Sequence, residues 1–165
     1  MEITLRDAKA DDLPLLLTYQ RAYYAHDRIA FDEPAARVAL EGLLAHPERG
    51  RIWLVCLGAG PIGYVVLAFG YSLEFHGRDG FLDELYLDAG SRGRGLGTRT
   101  MKAVERFARG EGLRAIHLEV LHDNTRAQGL YESLGFEGRR RAFMMSKRLD
   151  HETQPDAGRR TGDES

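Results

Sequence analysis

The apolar positions of this chain follow two periods, and the period changes mark its elements. Alternation over residues 2–6 predicts a first strand. From Leu13 the interval becomes helical: Leu13, Leu16, Leu17, Tyr23 and Tyr24 form one stripe. Asp11 or Asp12 can cap this helix, with Pro14 in its first turn, where a missing N–H costs nothing. Asp32-Glu33-Pro34 opens a second helix by the same signals, with Ala36, Leu40, Leu43 and Leu44 facing the core. Residues 52–57 and 62–69 are apolar runs of strand length, joined by Gly58-Ala59-Gly60-Pro61 as a hairpin. Residues 71–80 are polar and glycine-bearing and read as a loop, and 81–87 form another short strand. Leu96, Met101, Val104, Phe107 and Ala108 share a helix face that stops at Gly110 and Gly112. Residues 115–121 predict a strand, and Ala127, Leu130, Tyr131 and Leu134 a helix capped by Asp123 or Asn124 and closed by Gly135. A last strand is expected over 141–146. The order is βααβββαβαβ. Early hairpins followed by a strand–helix–strand crossover imply an α/β fold, a mixed sheet with helices on its faces.

Composition narrows the classes. At 165 residues and 43% hydrophobic, the chain suits one compact domain, taken as residues 1–149. Residues 150–165 carry many charges and one aliphatic side chain, Ala157, so a disordered tail is expected there. A net charge of −2 argues against a nucleic-acid partner. The single cysteine, Cys56, cannot form an internal disulfide and reads as a small buried apolar residue. The six histidines show no metal-ligand spacing, so no metal is expected. No apolar run approaches the roughly 18–20 residues of a membrane span, and the first residues do not form a signal peptide. A soluble, cytoplasmic protein is the expectation.

The chemistry concentrates in FLDELYLDAGSRGRGLG, residues 81–97. A strand, a glycine-rich turn and a helix make an anion site, because first-turn N–H groups lack intrahelical partners and glycine lets a phosphate approach the backbone. Arg92 and Arg94 add charge. Dinucleotide-binding spacing fails, since the glycines fall at Gly93, Gly95 and Gly97 with Thr98 following, and the loop lacks the lysine of a nucleotide-triphosphate site. Arg-x-x-Gly-x-Gly at Arg92, Gly95 and Gly97, after a strand ending Leu85-Tyr86-Leu87, resembles the pyrophosphate loop of the GNAT (GCN5-related) N-acetyltransferase superfamily. Further on, Asn124-Thr125-Arg126-Ala127-Gln128-Gly129-Leu130-Tyr131-Glu132-Ser133-Leu134-Gly135-Phe136 is similar to that superfamily's second signature, N-x-x-A-x-x-L-Y-x-x-x-G-F, at every fixed position.

The resemblance implies acetyl-CoA as cosubstrate and direct transfer to an amine in a ternary complex. Backbone groups of Leu85, Tyr86 and Leu87 would pair with the pantetheine arm, and one amide would polarise the thioester carbonyl. Arg92, Gly93, Arg94, Gly95, Leu96, Gly97 and Thr98 would hold the pyrophosphate, and Asn124 would lie near the arm. Tyr131 maps to the proton donor for the leaving thiolate. The proton acceptor is open between Glu119 and Glu84. Glu119, twelve residues before Tyr131, matches a Leu-Glu-Val…Tyr spacing in some ribosomal-protein N-terminal acetyltransferases. Asp83 and Glu84 lie where polyamine-type relatives carry acids and would bind the acceptor amine. In a central strand a charge is costly unless paired or used, which favours function for Glu84 and Glu119. A small-molecule primary amine is the expected acceptor, with Asp27, Asp32, Glu33 and Glu74 in segments that frame its pocket. A peptide N-terminus and a non-catalytic acyl-CoA sensor are the alternatives, and a homodimer is left open.

Overall fold

A computed structural model describes residues 2–139 and 142–149. The described residues form β1 (Ile3–Asp7), α1 (Leu13–Asp27), α2 (Glu33–Leu44), β2 (Gly50–Leu57), β3 (Gly60–Ser72), β4 (Gly77–Leu87), α3 (Leu96–Gly110), β5 (Ile116–Leu118) and α4 (Thr125–Ser133). The chain divides into two units between Gly135 and Phe136, and all of these elements belong to the first. The sheet runs β1-β2-β3-β4-β5, antiparallel up to β4 and parallel between β4 and β5. The parallel step is the one that needs a crossover, and α3 supplies it.

Both faces of the central strands are covered. Leu13, Leu16, Leu17 and Tyr19 of α1 and Leu40 of α2 pack on Ile52, Leu54, Cys56, Tyr64 and Val66. The alternate residues Trp53, Val55, Val65 and Leu67 therefore face the other way. Buried with them are Leu96, Met101, Val104 and Ala108 of α3, and Trp53 meets Phe107 edge-on at 4.7 Å. Burial on both faces is why β2 reads as an unbroken apolar run.

Four expectations need correction. Residues 71–80 are not a loop: β3 and β4 pair as far as Ser72 and Gly77 around a four-residue turn. Tyr71 is 71% exposed there, so this ribbon lacks the apolar alternation by which a strand is recognised. Strand β5 covers only Ile116–Leu118, three residues against the seven expected over 115–121. Residues 142–149 form no strand. Phe143, Met144 and Met145 are 83%, 59% and 82% exposed. Asp12 precedes α1 but does not cap it with its side chain. Its carboxylate instead accepts from both Arg6 terminal nitrogens at 2.8 and 3.0 Å and from the Lys9 amide. Asp32 does cap α2, accepting from the Ala35 amide at 3.1 Å. The tail at 150–165 lies outside the described residues.

Candidate active site

The site begins with one extra residue in β4. Val66 of β3 opposes Glu84, while Leu67 opposes Leu82, leaving Asp83 as the bulged residue. In an unbroken strand Leu82 and Glu84 would share a face; the bulge sends them to opposite ones. Strand β5 pairs with β4 only as far as Leu82 and Leu118. Beyond the bulge, Leu85, Tyr86 and Leu87 keep their bonds to Val65, Tyr64 and Gly63 of β3 and have no β5 residue opposite them. That leaves one edge of β4 open over the three residues expected to pair with a pantetheine arm. Gly63 is needed on the closed edge, where a Cβ would lie 2.0 Å from the Tyr86 carbonyl oxygen.

The open edge leads into the glycine-rich loop. Gly93 and Gly95 have φ of 78° and 69°, left-handed conformations that strain other residues. Gly95 is the N-cap of α3, and the first helical bond runs from the Arg99 amide to the Gly95 carbonyl at 3.2 Å. The amides of Leu96, Gly97 and Thr98 thus precede the helical ladder and point out of the helix end. A Cβ on Gly95 would meet nothing within 4 Å, so the space before these amides is open. The Leu96 side chain is buried in the core, leaving its backbone for any ligand. Gly97 lets α3 and α4 approach, since a Cβ there would stand 2.9 Å from Leu130 Cδ1.

The two loop arginines differ. Arg94 is exposed. Arg92 is turned inward: its Nε donates to the Leu87 carbonyl at 2.9 Å and its guanidinium lies 5.3 Å from the Tyr86 ring centroid. Sequence reasoning missed a third cation. Arg126 on α4 brings an Nη2 to 3.3 Å from the Cβ position of Gly93, setting a guanidinium against the loop. The only signal was its place in a variable slot of the second motif.

Helix α4 carries the other motif residues. Asn124 is its N-cap, with Oδ1 accepting from the Ala127 amide at 3.1 Å. Tyr131 is half-buried, and that burial raises its phenol pKa above the usual value. Across the opening on α1, Tyr23 is also raised, by burial and then by Asp27 and Glu84, with Tyr131 contributing.

Three carboxylates lie around the opening. Glu84 is 7% exposed and accepts four contacts from three side chains. Gln20 Nε2 donates to Oε1 at 3.0 Å and Oε2 at 3.1 Å, Tyr24 Oη to Oε1 at 2.8 Å, and Tyr64 Oη to Oε2 at 2.6 Å. Asp83 is exposed on the bulge, yet desolvation, then Glu84 and Glu119, raise its pKa. Glu119 is exposed and lies one residue beyond β5, not within a central strand. The argument from a buried strand charge therefore holds for Glu84 and not for Glu119.

An open strand edge, a loop of outward amides and a tyrosine on the adjoining helix fall in one place, and they do so within a matched family profile. The acetyltransferase (GNAT) family matches residues 14–136. The chain belongs to this family. It is an acetyl-CoA-dependent N-acyltransferase of the GNAT type. It is 28% identical to the thialysine N-epsilon-acetyltransferase of Bos taurus, over 81% of this chain and 83% of that protein. An integron cassette protein from the mobile metagenome of Cole Harbour Salt Marsh superposes with a TM-score of 0.76 at 32% identity, over 88% of this chain and 90% of the other. The aminoglycoside acetyltransferase AAC(6')-Iy, solved with a bisubstrate analogue, shares the GNAT fold at a TM-score of 0.74 and 18% identity, over 90% of this chain and 99% of that one.

Proposed function

We propose that this GNAT enzyme moves an acetyl group from acetyl-CoA to the primary amine of a small molecule, by direct transfer within a ternary complex. The observation that carries the reading is the β4 edge left open beyond the bulge and ending on the outward amides of α3. Amides of Leu85–Leu87 pair with the pantetheine arm as an added strand would, and one of them stabilises the oxyanion of the tetrahedral intermediate. The loop from Arg92 to Thr98 receives the pyrophosphate through its backbone, with Arg94 and Arg126 supplying charge. Asn124, whose Oδ1 is engaged as the helix cap, borders the arm.

Tyr131 then serves the leaving sulfur. A phenol of pKa about 10 is already a weaker acid than a thiol of about 8.5, so full proton transfer is uphill by about 2 kcal/mol. Burial weakens the acid further, so Tyr131 acts as a hydrogen-bond donor to the thiolate and solvent completes the protonation. On the acceptor side an ammonium must lose a proton before attack. Glu84 is already the acceptor in four contacts, so this role falls to solvent-exposed Glu119, acting through water. Asp83 and Glu84 attract the amine.

The small-molecule acceptor accords with the thialysine enzyme among the relatives and with this acidic surround. The test is thiol release from acetyl-CoA across amines, amino acids, aminoglycosides and peptides. Release with small amines supports the reading. Release with peptides alone makes it an N-terminal acetyltransferase, and CoA binding without release makes it a sensor.

A further inference from the structure

Among the described residues, Glu84 is a buried carboxylate with neutral partners only. Its donors are an amide and two phenols, and among the described residues no lysine, arginine or histidine pairs with it. Buried charges usually carry a counter-ion, because desolvation is otherwise too costly. Here hydrogen bonds satisfy the oxygens, and no described residue neutralises the charge. Among the described residues, the charged and titratable groups around it add no cation: Tyr23 and Tyr24 from α1, Tyr64 from β3, and Asp83 beside it on β4. Burial and the Glu84 charge raise both Tyr24 and Tyr64, so both remain proton donors across the working range of an enzyme.

The orientation of Gln20 shows what this arrangement favours. Gln20 is 6% exposed, and its Oε1 is buried without a hydrogen-bond partner among the described residues. Turning the amide over would aim Oε1 at the carboxylate and replace two charge-assisted bonds with repulsion. The fold leaves one neutral acceptor unsatisfied and keeps both donor contacts to Glu84. Gln20 and Tyr24 are one turn apart on α1, so a single helix face presents both. Tyr64 closes the third side from β3. No residue of this trio belongs to the motif stretches.

We infer that Gln20, Tyr24 and Tyr64 are positioning residues that hold Glu84 as a fixed anion, with no counter-ion among the described residues, so that the acceptor amine is drawn in as a cation. The inference rests on the acyl-transfer reading above and assigns the selectivity of that site. Glu84 then contributes to acceptor affinity, and the donors around it fix where its charge sits. Removing a donor frees the carboxylate to move and weakens its hold on a cationic acceptor, while a neutral analogue of the acceptor is little affected.

The experiment measures acceptor KM and kcat for Tyr24→Phe, Tyr64→Phe and the double variant, and the affinity of each for the amine and for its neutral hydroxyl isostere. The probes are thialysine and the best amine from the acceptor panel. Each single variant is expected to raise acceptor KM at least threefold, and the double variant more, with kcat, acetyl-CoA affinity and binding of the neutral isostere held within about twofold. A packing role alone would lower kcat and acetyl-CoA affinity together and weaken amine and isostere alike, and would overturn the inference. So would an unchanged KM in every variant. Tyr64 is fully buried, so half-buried Tyr24 carries the test if Tyr64→Phe does not fold. A turnover-independent arm separates this inference from the acyl-transfer reading. Infrared spectra should show a carboxylate stretch displaced in Tyr24→Phe relative to the parent, as expected when one hydrogen bond to Glu84 is lost, and that difference should vanish in a Glu84→Gln background. An inactive parent with this spectral difference sinks the acyl-transfer reading alone; identical spectra sink the cage.

Discussion

Arg92 ties the loop to the strand before it, through an Nε–H···O=C bond of 2.9 Å to Leu87. Its guanidinium also covers the Tyr86 ring, so the side chain is spent on the end of β4. Arg92→Ala should therefore destabilise the fold by about 1–2 kcal/mol, from one hydrogen bond and one cation–π contact. CoA affinity should fall by less than about tenfold, since exposed charge pairs contribute only about 0.2–1 kcal/mol. Thermal unfolding and calorimetry on the same samples check both parts. A loss of affinity with unchanged stability would mean that Arg92 meets the phosphates directly.

Gly95 separates conformation from contact. Its φ of 69° disfavours any side chain, by about 1–2 kcal/mol, yet a Cβ there meets only open space. Gly95→Ala should lower stability by about that amount and still bind CoA, because the helix-end amides stay accessible. Gly95→Glu should abolish binding, by placing a carboxylate where the pyrophosphate belongs. Calorimetry with CoA distinguishes them, and undiminished affinity in folded Gly95→Glu would remove the loop from the cofactor site.

What could be read in the sequence was what depends on local chemistry. The glycine-rich turn before α3, the Asp32 and Asn124 caps and the stripe on α3 are set by residues close to one another along the chain. The bulge at Asp83 is not, because register is decided by the partner strand, and with it went the face on which Glu84 lies. The end of β5 follows from the same event, which is why Glu119 was expected inside a strand. Gln20 did leave a trace: it sits in the helical stripe of Leu13, Leu16, Leu17 and Tyr24, a polar residue on an apolar face. Tyr64 left none, since an aromatic residue in a buried strand needs no explanation. The run at 143–145 has strand composition, yet its side chains are exposed.

Tyr131→Phe keeps the ring and removes only the hydroxyl. Positioned proton donors typically contribute about 10²–10⁴ in rate, so turnover should fall at least tenfold with acetyl-CoA affinity nearly unchanged. Burial raises the parent's phenol, so its donor form persists and no alkaline loss of activity should come from Tyr131 below about pH 10. Parent-like rates for the variant across the pH range, with chemistry rate-limiting, would make Tyr131 a packing residue.

Asp83 makes a prediction about stability. Its pKa is raised in the folded state by desolvation, then by Glu84 and Glu119, above the unfolded value of about 3.9. A group raised on folding supports the native state while protonated, below the unfolded pKa. That support is lost as pH climbs through the folded pKa. Asp83→Asn removes the charge, so it should be more stable than the parent at neutral pH, and the advantage should disappear under acid conditions. Denaturant midpoints at about pH 3 and pH 7 measure this, and a variant less stable than the parent at pH 7 would contradict it.

The proton acceptor can be separated from its neighbours because Glu119 is one of the groups that raise Asp83. A base works deprotonated, so under saturating acetyl-CoA the parent's activity should rise with pH and then level. If Glu119 takes the proton, Glu119→Gln removes that limb. It depresses neutral turnover by roughly 10²-fold and leaves a rate that recovers only at alkaline pH, where more of the amine is already neutral. Asp83→Asn would then keep the limb. If Asp83 takes the proton instead, Glu119→Gln keeps the limb and moves it to lower pH, because one of the two like charges raising Asp83 is gone. Glu84→Gln should raise acceptor KM in either case, since its oxygens are occupied by Gln20, Tyr24 and Tyr64 and only its charge reaches the amine. The expected result is loss of the limb in Glu119→Gln alone. A limb displaced toward acid in that variant, and absent from Asp83→Asn, would transfer the role to Asp83.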